Sequence, residues 1–124
     1  MRKLKVLVAD DSKPSKMTTM IFLESLGCVV TGADDGLEAL QLSQNEIFDL
    51  IFLDERMPGL LGSDVAAKLC QEKKTNLHTP KISLTGLTDK GAVDELYSKG
   101  ITHHIEKPIT KLILEKFLQQ WRNN

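Results

Sequence analysis

Four short apolar runs of this chain end in side chains that can do chemistry. An acid pair, a third acid, a hydroxyl and an amine follow one another along the chain at these ends: Asp10 and Asp11, Asp54, Thr85 and Lys107. Any one of these residues alone is more often a turn former, a helix cap or a solvated charge. If the four run ends converge, they form a site for a divalent cation and a phosphoryl group.

The three carboxylates predict a metal site. Two unit charges about 4 Å apart repel by about 4 kcal/mol at an effective dielectric constant of about 20, so clustered acids take up protons or bind a cation. Hard oxygen ligands without a nearby Cys or His favour Mg²⁺, with Mn²⁺ as the obvious substitute. The backbone carbonyl of Arg56 can complete the shell around Asp10, Asp11 and Asp54.

The other residues at the run ends fit phosphoryl chemistry. With a metal in place, the Asp54 carboxylate can attack phosphorus and form an acyl phosphate. Lys107 would pair with Asp54 and neutralise phosphoryl oxygens as a point charge. Thr85 can donate its hydroxyl to the same group. The four ends together therefore predict a phosphoacceptor.

The elements that must position these residues are alternating strands and helices. Apolar runs predict strands near residues 4–10, 28–33, 49–54, 80–85 and 101–106. Segments of helical period predict helices near residues 14–26, 35–45, 62–73, 88–98 and 109–121. Such alternation favours an α/β fold with a parallel sheet. In the last helix we expect the apolar residues to form a core stripe: Ile109, Leu112, Ile113, Phe117 and Trp121.

Five right-handed βα units favour a doubly wound, flavodoxin-like sheet of strand order 2-1-3-4-5. In that order the first and third strands are neighbours, and ligands bind beyond their carboxyl ends. This topology brings Asp10 and Asp11 beside Asp54, with Thr85 and Lys107 on the flank.

Composition sets the wider limits. With 124 residues, 41% of them apolar, the chain fits one domain, residues 1–124, that buries its own core. A net charge of -1 gives no reason to expect nucleic acid as a direct partner. Cys28 and Cys70 are too few for a disulfide scaffold or a zinc site, and no apolar segment is long enough for membrane insertion. We therefore expect a cytoplasmic protein.

Five motifs, in this order along the chain, resemble the receiver domain of two-component response regulators and hybrid sensor kinases. They are Val6–Asp11, Asp35–Leu40, Leu53–Gly59, Leu84–Gly86 and Lys107–Ile109. The resemblance implies that Asp54 accepts a phosphoryl group from a histidine of a partner, either a sensor histidine kinase or a histidine phosphotransfer protein. It also implies that the domain catalyses its own Mg²⁺-dependent phosphorylation and dephosphorylation and turns over no separate substrate.

The resemblance further implies a conformational switch. In similar domains a phosphoryl group draws the threonine hydroxyl inward, and an aromatic residue of the last strand follows. Thr85 occupies the first position, and His104 occupies the second, where the family usually has Tyr or Phe. Because histidine titrates near physiological pH, one hypothesis is that activation depends on pH. Its neighbour His103 should face the other side of the strand.

Three further positions carry expectations from the resemblance. Arg56 and Leu87 lie where side chains overhang the site and influence the access of water to the aspartyl phosphate. The Lys107–Pro108 peptide bond is expected to be cis. Glu55, beside the acceptor, is expected to point into solvent.

Some alternatives remain open from the sequence. A phosphorylation-independent interaction module of the same fold is the main rival, although such modules usually lose the acid pair, the acceptor or the lysine. The chain is either a stand-alone regulator or a piece of a longer kinase or regulator, with a weak preference for the hybrid-kinase type. A homodimer that forms on phosphorylation is a further expectation.

Overall fold

The computed structural model describes residues 3–86 and 90–122, which contain five strands and five helices in alternation. The strands are β1 (Lys5–Ala9), β2 (Val29–Ala33), β3 (Leu50–Asp54), β4 (Lys81–Thr85) and β5 (His103–Glu106). The helices are α1 (Lys13–Ser25), α2 (Gly36–Asn45), α3 (Gly62–Glu72), α4 (Lys90–Ser98) and α5 (Lys111–Arg122). The expected start of the fourth helix at residue 88, and Leu87, lie outside the described residues.

The strands form one parallel sheet of order β2-β1-β3-β4-β5, which confirms the predicted doubly wound topology. Ala9 of β1 pairs in register with Leu53 of β3, so the residues that follow these two strands leave the sheet side by side. The next pairing sets Asp54 opposite Leu84, and β4 in turn sets Thr85 opposite Glu106. The sheet order and register therefore bring the predicted site residues to the carboxyl end of the sheet.

Helices cover both faces of the sheet. On one face, Leu7, Leu53 and their neighbours pack against buried residues of α2 and α3. On the other face, Phe52 and its neighbours pack against Leu23 of α1 and Leu118 of α5. β3 is buried along its whole length, as expected for a central strand that is covered on both faces.

Local signals determine where several helices begin and end. The Ser12 hydroxyl accepts a hydrogen bond from the backbone N–H of Ser15, and Pro14 lies in the first turn of α1. The Asp35 carboxylate caps α2 by accepting the N–H of Glu38 at 2.8 Å. Gly27, with φ of +92°, follows α1 in the left-handed region, which glycine adopts without steric cost at the end of a helix.

The predicted core stripe of the last helix is partly wrong. Leu112 is 58% exposed and Ile113 is also exposed, whereas Leu114 and Leu118 are the buried residues of α5. The helix begins at Lys111, two residues later than predicted, because the Thr110 hydroxyl accepts the N–H of Ile113. The 3.6-residue period then directs Leu114 and Leu118, four residues apart, toward the sheet.

A polar network lies at the amino end of β3 and β4. The Lys81 side chain is only 1% exposed, and its ammonium group donates to the backbone carbonyls of Asn76, Leu77 and Thr79 at 2.8 to 3.0 Å. The buried Asn76 amide accepts from the N–H of Phe48 and donates to two carbonyls that end α2 and follow it. We call these side chains, with Thr79, the amino-end network; it fixes the loops before β3 and β4.

No helix within residues 3–86 and 90–122 is both long and apolar enough to cross a membrane.

Candidate functional site

Three carboxylates meet at the carboxyl end of the sheet. Asp10 and Asp11 follow β1, and Asp54 is the last residue of the neighbouring strand β3. One carboxylate oxygen from each lies within 4.8 Å of the others. We call these three residues the acidic cluster. The site predicted from the strand ends is therefore assembled by the order of the strands.

Asp10 is the most deeply buried acid of the cluster, with 1% of its surface exposed. Its Oδ1 accepts the backbone N–H of Ser12 at 2.9 Å, which shapes the turn from β1 into α1. Its Oδ2 is buried and has no hydrogen-bond partner among the described residues. A buried anionic oxygen without a partner is costly, so this atom is suited to accept a ligand that the protein does not itself supply.

Asp54 combines burial with one basic partner. The residue is 6% exposed, and Lys107 Nζ lies 3.1 Å from its Oδ1. Burial raises the pKa of the Asp54 carboxyl, and the nearby Asp10 carboxylate acts in the same direction. The Lys107 ammonium lowers that pKa, but burial and Asp10 together outweigh it, so the pKa is raised overall. The lysine therefore compensates the buried charge only in part.

The backbone brings Lys107 to Asp54. The N–H of Lys107 donates to the carbonyl of Thr85 at 2.9 Å, which continues the β4–β5 pairing beyond the end of β5. The Lys107–Pro108 peptide bond is cis, the isomer that the resemblance implies. Thr85 itself is buried at the end of β4. Thr85 and Lys107 thus lie at the ends of adjacent strands, and the Lys107 amine reaches Asp54 at the end of β3.

His104 lies on β5, the strand next to the one that ends in Thr85. Its Nδ1 shares a hydrogen bond of 2.7 Å with the Tyr97 hydroxyl of α4, and the two rings meet edge to face. His103 faces the opposite side, where its ring packs against Phe117 and Trp121 of α5. The expectation that the two histidines face different sides is confirmed. The role of Tyr97 has no signal in the sequence, because it depends on how α4 packs beside β5.

The expectation that Glu55 points into solvent is wrong. It is 9% exposed, and its carboxylate accepts both the backbone N–H and the hydroxyl of Ser63, at 2.7 and 2.8 Å. Ser63 lies in the first turn of α3, where backbone N–H groups lack helical partners and a negative charge is favoured. Glu55 therefore closes the loop that follows Asp54 and does not belong to the acidic cluster.

The same loop is closed tightly at its base. A Cβ on Gly62 would lie 2.5 Å from the carbonyl oxygen of Asp54, so only glycine allows this approach. Arg56, within the loop, has an exposed side chain. Of the two residues expected to overhang the site, Arg56 is exposed two residues after Asp54, and Leu87 lies outside the described residues.

The acidic cluster fits a divalent cation. Its donors are hard carboxylate oxygens, one of them a buried oxygen without a partner among the described residues. Only one ammonium group, that of Lys107, forms an ion pair with the cluster within the described chain. A cation beside these acids would relieve their repulsion and leave the lysine available for a second anionic group.

Comparison with known proteins identifies the family. The profile of the response regulator receiver domain matches residues 6–119. The chain therefore belongs to the response regulator receiver domain family, and its class is that of the receiver domains of two-component systems. This assignment agrees with the resemblance drawn from the five motifs.

Individual relatives agree with the family assignment. The chain is similar to the sensor histidine kinase GacS of Pseudomonas protegens, with 29% identity over 122 residues that make up 97% of this chain and 13% of that protein. It spans only 5% to 22% of the length of GacS and four other curated relatives that it matches.

Solved structures support the same fold. The chemotaxis response regulator CheY4 of Vibrio cholerae is 31% identical, with a TM-score of 0.89 and coverage of 96% of this chain and 98% of that chain. The receiver domain of the sensor histidine kinase PA1611 of Pseudomonas aeruginosa has a TM-score of 0.88 at 24% identity and covers 99% of this chain and 100% of that one. At that identity the second match supports the fold alone.

Proposed function

We propose that the chain, as a single receiver unit, accepts a phosphoryl group on Asp54 from a phosphohistidine of a partner protein. The observation that carries this proposal is the state of Asp54: a buried carboxylate at a strand end, 3.1 Å from Lys107 and grouped with two further acids. Burying a charged carboxylate destabilises the fold, and such destabilised groups are common among residues that react.

In the proposed transfer, an Asp54 carboxylate oxygen forms a bond to phosphorus while the bond from phosphorus to the donor's imidazole nitrogen breaks. The imidazole leaves with the electron pair of that bond. Lys107 stabilises the negative charge on the phosphoryl oxygens, and the Thr85 hydroxyl donates a hydrogen bond to one of them. The return to the free carboxylate is hydrolysis of the acyl phosphate by water.

Magnesium is the proposed cofactor, with manganese as a substitute. Asp10, Asp11, Asp54 and the backbone carbonyl of Arg56 would hold it. The ion supplies charge neutralisation for the acids and for the phosphoryl oxygens when it is bound. Support comes from the oxygen donors of the acidic cluster. The PA1611 receiver domain, which shares the fold, has a magnesium ion coordinated in its own active site cleft.

The proposed partner is a sensor histidine kinase or a histidine phosphotransfer protein. This choice is supported by relatives such as GacS, a sensor histidine kinase. The proposed output is a change at the face formed by α4 and β5, where Thr85 and His104 would move together. Arg56, exposed two residues after Asp54, would influence the rate of hydrolysis.

The test is phosphorylation by a small phosphodonor, such as acetyl phosphate, followed by intact mass measurement. We expect one phosphoryl adduct that requires Mg²⁺ and is absent after Asp54→Asn. Asp34→Asn is the matched control, because Asp34 is an exposed acid that follows the neighbouring strand β2 and pairs with Lys16. No adduct on the unsubstituted chain, or an adduct that survives Asp54→Asn, would contradict the proposal and favour an interaction module that works without phosphate.

A further inference from the structure

Ser83 lies in the middle of β4, where an apolar residue would be the ordinary choice. It is 1% exposed, and its hydroxyl has no hydrogen-bond partner among the described residues. The other buried serines of the described chain have paired hydroxyls: that of Ser43, in α2, donates to the backbone carbonyl of Ala39 at 2.7 Å, and that of Ser63, in α3, donates to Glu55 at 2.8 Å. An unpaired buried hydroxyl destabilises a protein, so its presence in Ser83 calls for a partner in another state of the molecule.

Ser83 has two in-register neighbours, the apolar Leu53 on β3 and the polar His104 on β5. Ser83 and His104 are paired in register between β4 and β5, and paired residues of adjacent strands face the same side of the sheet about 4.8 Å apart. Thr85 shares that side, since it lies two residues after Ser83 on β4. The unpaired Ser83 hydroxyl therefore lies on the same side of the sheet as Thr85 and His104, the two residues of the expected switch.

His104 has its hydrogen-bond partner on α4. The Tyr97 hydroxyl shares a 2.7 Å hydrogen bond with Nδ1, and Tyr97 is partly exposed. A neutral imidazole has one donor and one acceptor, so a ring that leaves Tyr97 and turns inward must find a new partner to avoid a buried polar atom without one. A phenylalanine at this position would have no such requirement.

We propose that Tyr97 and Ser83 are the two alternative hydrogen-bond partners of His104, Tyr97 in the unphosphorylated state and Ser83 in the phosphorylated state. The inference rests on the proposed function of Asp54 and deepens its regulation. When Thr85 moves toward the phosphoryl group, His104 turns toward β4 and exchanges the Tyr97 hydroxyl for that of Ser83. A serine hydroxyl both donates and accepts, so it can pair with either tautomer of the imidazole.

Because of this exchange, the equilibrium between the outward and the inward ring of His104 depends on both hydroxyls. The Tyr97 hydrogen bond stabilises the outward ring and opposes phosphorylation, whereas Ser83 is unpaired in that state and favours the inward ring. Removing each hydroxyl should therefore change ligand affinity in opposite directions, because a ligand that binds one state better shifts the population toward it.

The experiment uses beryllofluoride, a phosphoryl analogue, with saturating Mg²⁺ on the full chain. Fluorine NMR measures its affinity, and urea unfolding measures the stability of the ligand-free chain. We expect Ser83→Ala to raise ligand-free stability and to weaken beryllofluoride binding about three- to tenfold, the range that corresponds to one net hydrogen bond. Tyr97→Phe should lower stability and strengthen binding by a similar factor.

Two controls separate the switch from packing alone. Ser43→Ala removes a buried serine whose hydroxyl is paired, so it should lower stability and leave beryllofluoride affinity unchanged. In a His104→Phe background, Ser83→Ala and Tyr97→Phe should both lose their effect on affinity, since the ring no longer needs a partner. NMR of the imidazole nitrogens should also report a change of partner when beryllofluoride binds.

The outcomes distinguish this inference from the function on which it rests. Binding by the unsubstituted chain with an affinity that Ser83→Ala does not alter would overturn the inference and leave the phosphoacceptor intact. A loss of ligand-free stability in Ser83→Ala would also overturn it, because it would mean that the hydroxyl has a partner already. No beryllofluoride binding by the unsubstituted chain would contradict the proposed function and the inference together.

Discussion

At the amino end of the sheet the Lys81 ammonium donates hydrogen bonds to three carbonyls, and Asn76 pairs with one N–H and two carbonyls. At the carboxyl end, Asp10 Oδ2 is buried with no partner among the described residues, and the Asp54 carboxyl has a raised pKa because of its burial. Both ends bury polar groups that water would otherwise solvate. Among the described residues, the amino-end network pairs its polar side-chain atoms from its own chain, whereas the carboxyl end leaves Asp10 Oδ2 without a partner.

This difference separates structure from chemistry. A buried polar network whose members are all paired makes the fold specific and rigid. The acidic cluster, in which Asp10 and Asp54 are buried and Asp11 is exposed, has an unpaired oxygen, is stable only because the rest of the fold holds it, and is available to a cation and a phosphoryl group. Substitutions at the two ends should therefore have opposite consequences for stability and for binding.

Asn76→Ala should have the largest effect on stability. It removes one acceptor and two donor contacts, at 2.6 to 2.9 Å, from buried backbone groups near Phe48 and the end of α2. We expect the free energy of unfolding to fall by about 3 kcal/mol. Mg²⁺ affinity, measured by calorimetry, should not change.

Asn45→Ala is the matched control for Asn76→Ala. Asn45 is exposed, and its amide only returns to the carbonyl of Gln41 within α2. Its loss should cost less than about 0.5 kcal/mol. If both variants lost the same stability, or if Asn76→Ala also abolished Mg²⁺ binding, the separation of the two ends would be wrong.

Asp10→Asn should affect binding and spare the fold. We expect Mg²⁺ affinity to fall about tenfold or more, since even groups that only support a metal ligand typically contribute that much. Stability without Mg²⁺ should be retained or increased, because an amide can keep the contact with Ser12 and removes the repulsion with Asp54. Calorimetry and urea unfolding measure the two quantities. Asp34→Asn should alter neither by much, and equal losses in both variants would argue against a metal site.

Glu55→Gln, unlike Asp10→Asn, should lower the stability of the ligand-free chain. Both Glu55 oxygens are paired with Ser63, so neutralising this acid loses a charge-assisted contact at the start of α3. We expect a loss of about 1–2 kcal/mol, against a change within about 0.5 kcal/mol for the exposed Glu24→Gln. Thermal or urea unfolding provides the comparison. A gain in stability would show that Glu55 behaves like Asp10.

The parts of this account that the sequence predicts are those that local pattern determines. Apolar runs that end in an acid, a hydroxyl or an amine predict the strand ends, and the count of βα units predicts their order. The acidic cluster follows from these two facts, because strands that are adjacent in a parallel sheet end together. Helix ends were also predictable where a cap such as Asp35 is present.

The parts that could not be predicted depend on contacts between distant segments. Nothing in the sequence around Lys81, the first residue of β4, indicates that its ammonium group is buried, because the carbonyls that pair with it come from the preceding loop, which begins at Asn76. Glu55 reads as surface until Ser63, eight residues later, is seen to donate to it. A serine inside a strand gives no sign that it lacks a partner, so the role of Ser83 appears only with the sheet register.

Asp54→Asn tests most directly the claim that the carboxyl end is held ready for a ligand. Burial raises the pKa of Asp54 above its ordinary value of 3.8, so the folded state binds this proton more tightly than the unfolded chain does. The stability that the protonated group contributes is complete below that ordinary value and is lost as the pH rises through the raised pKa. The charged Asp54 carboxylate therefore destabilises the folded chain at neutral pH.

The decisive measurement is urea unfolding of the unsubstituted chain and of Asp54→Asn, in chelator and in excess Mg²⁺, from acidic to neutral pH. In chelator we expect the two chains to be similarly stable at the acidic limit and Asp54→Asn to become the more stable one as the pH rises. Mg²⁺ at neutral pH should stabilise the unsubstituted chain more than the variant. A variant that is less stable at neutral pH without a cation, together with no stabilisation of the unsubstituted chain by Mg²⁺, would contradict the account.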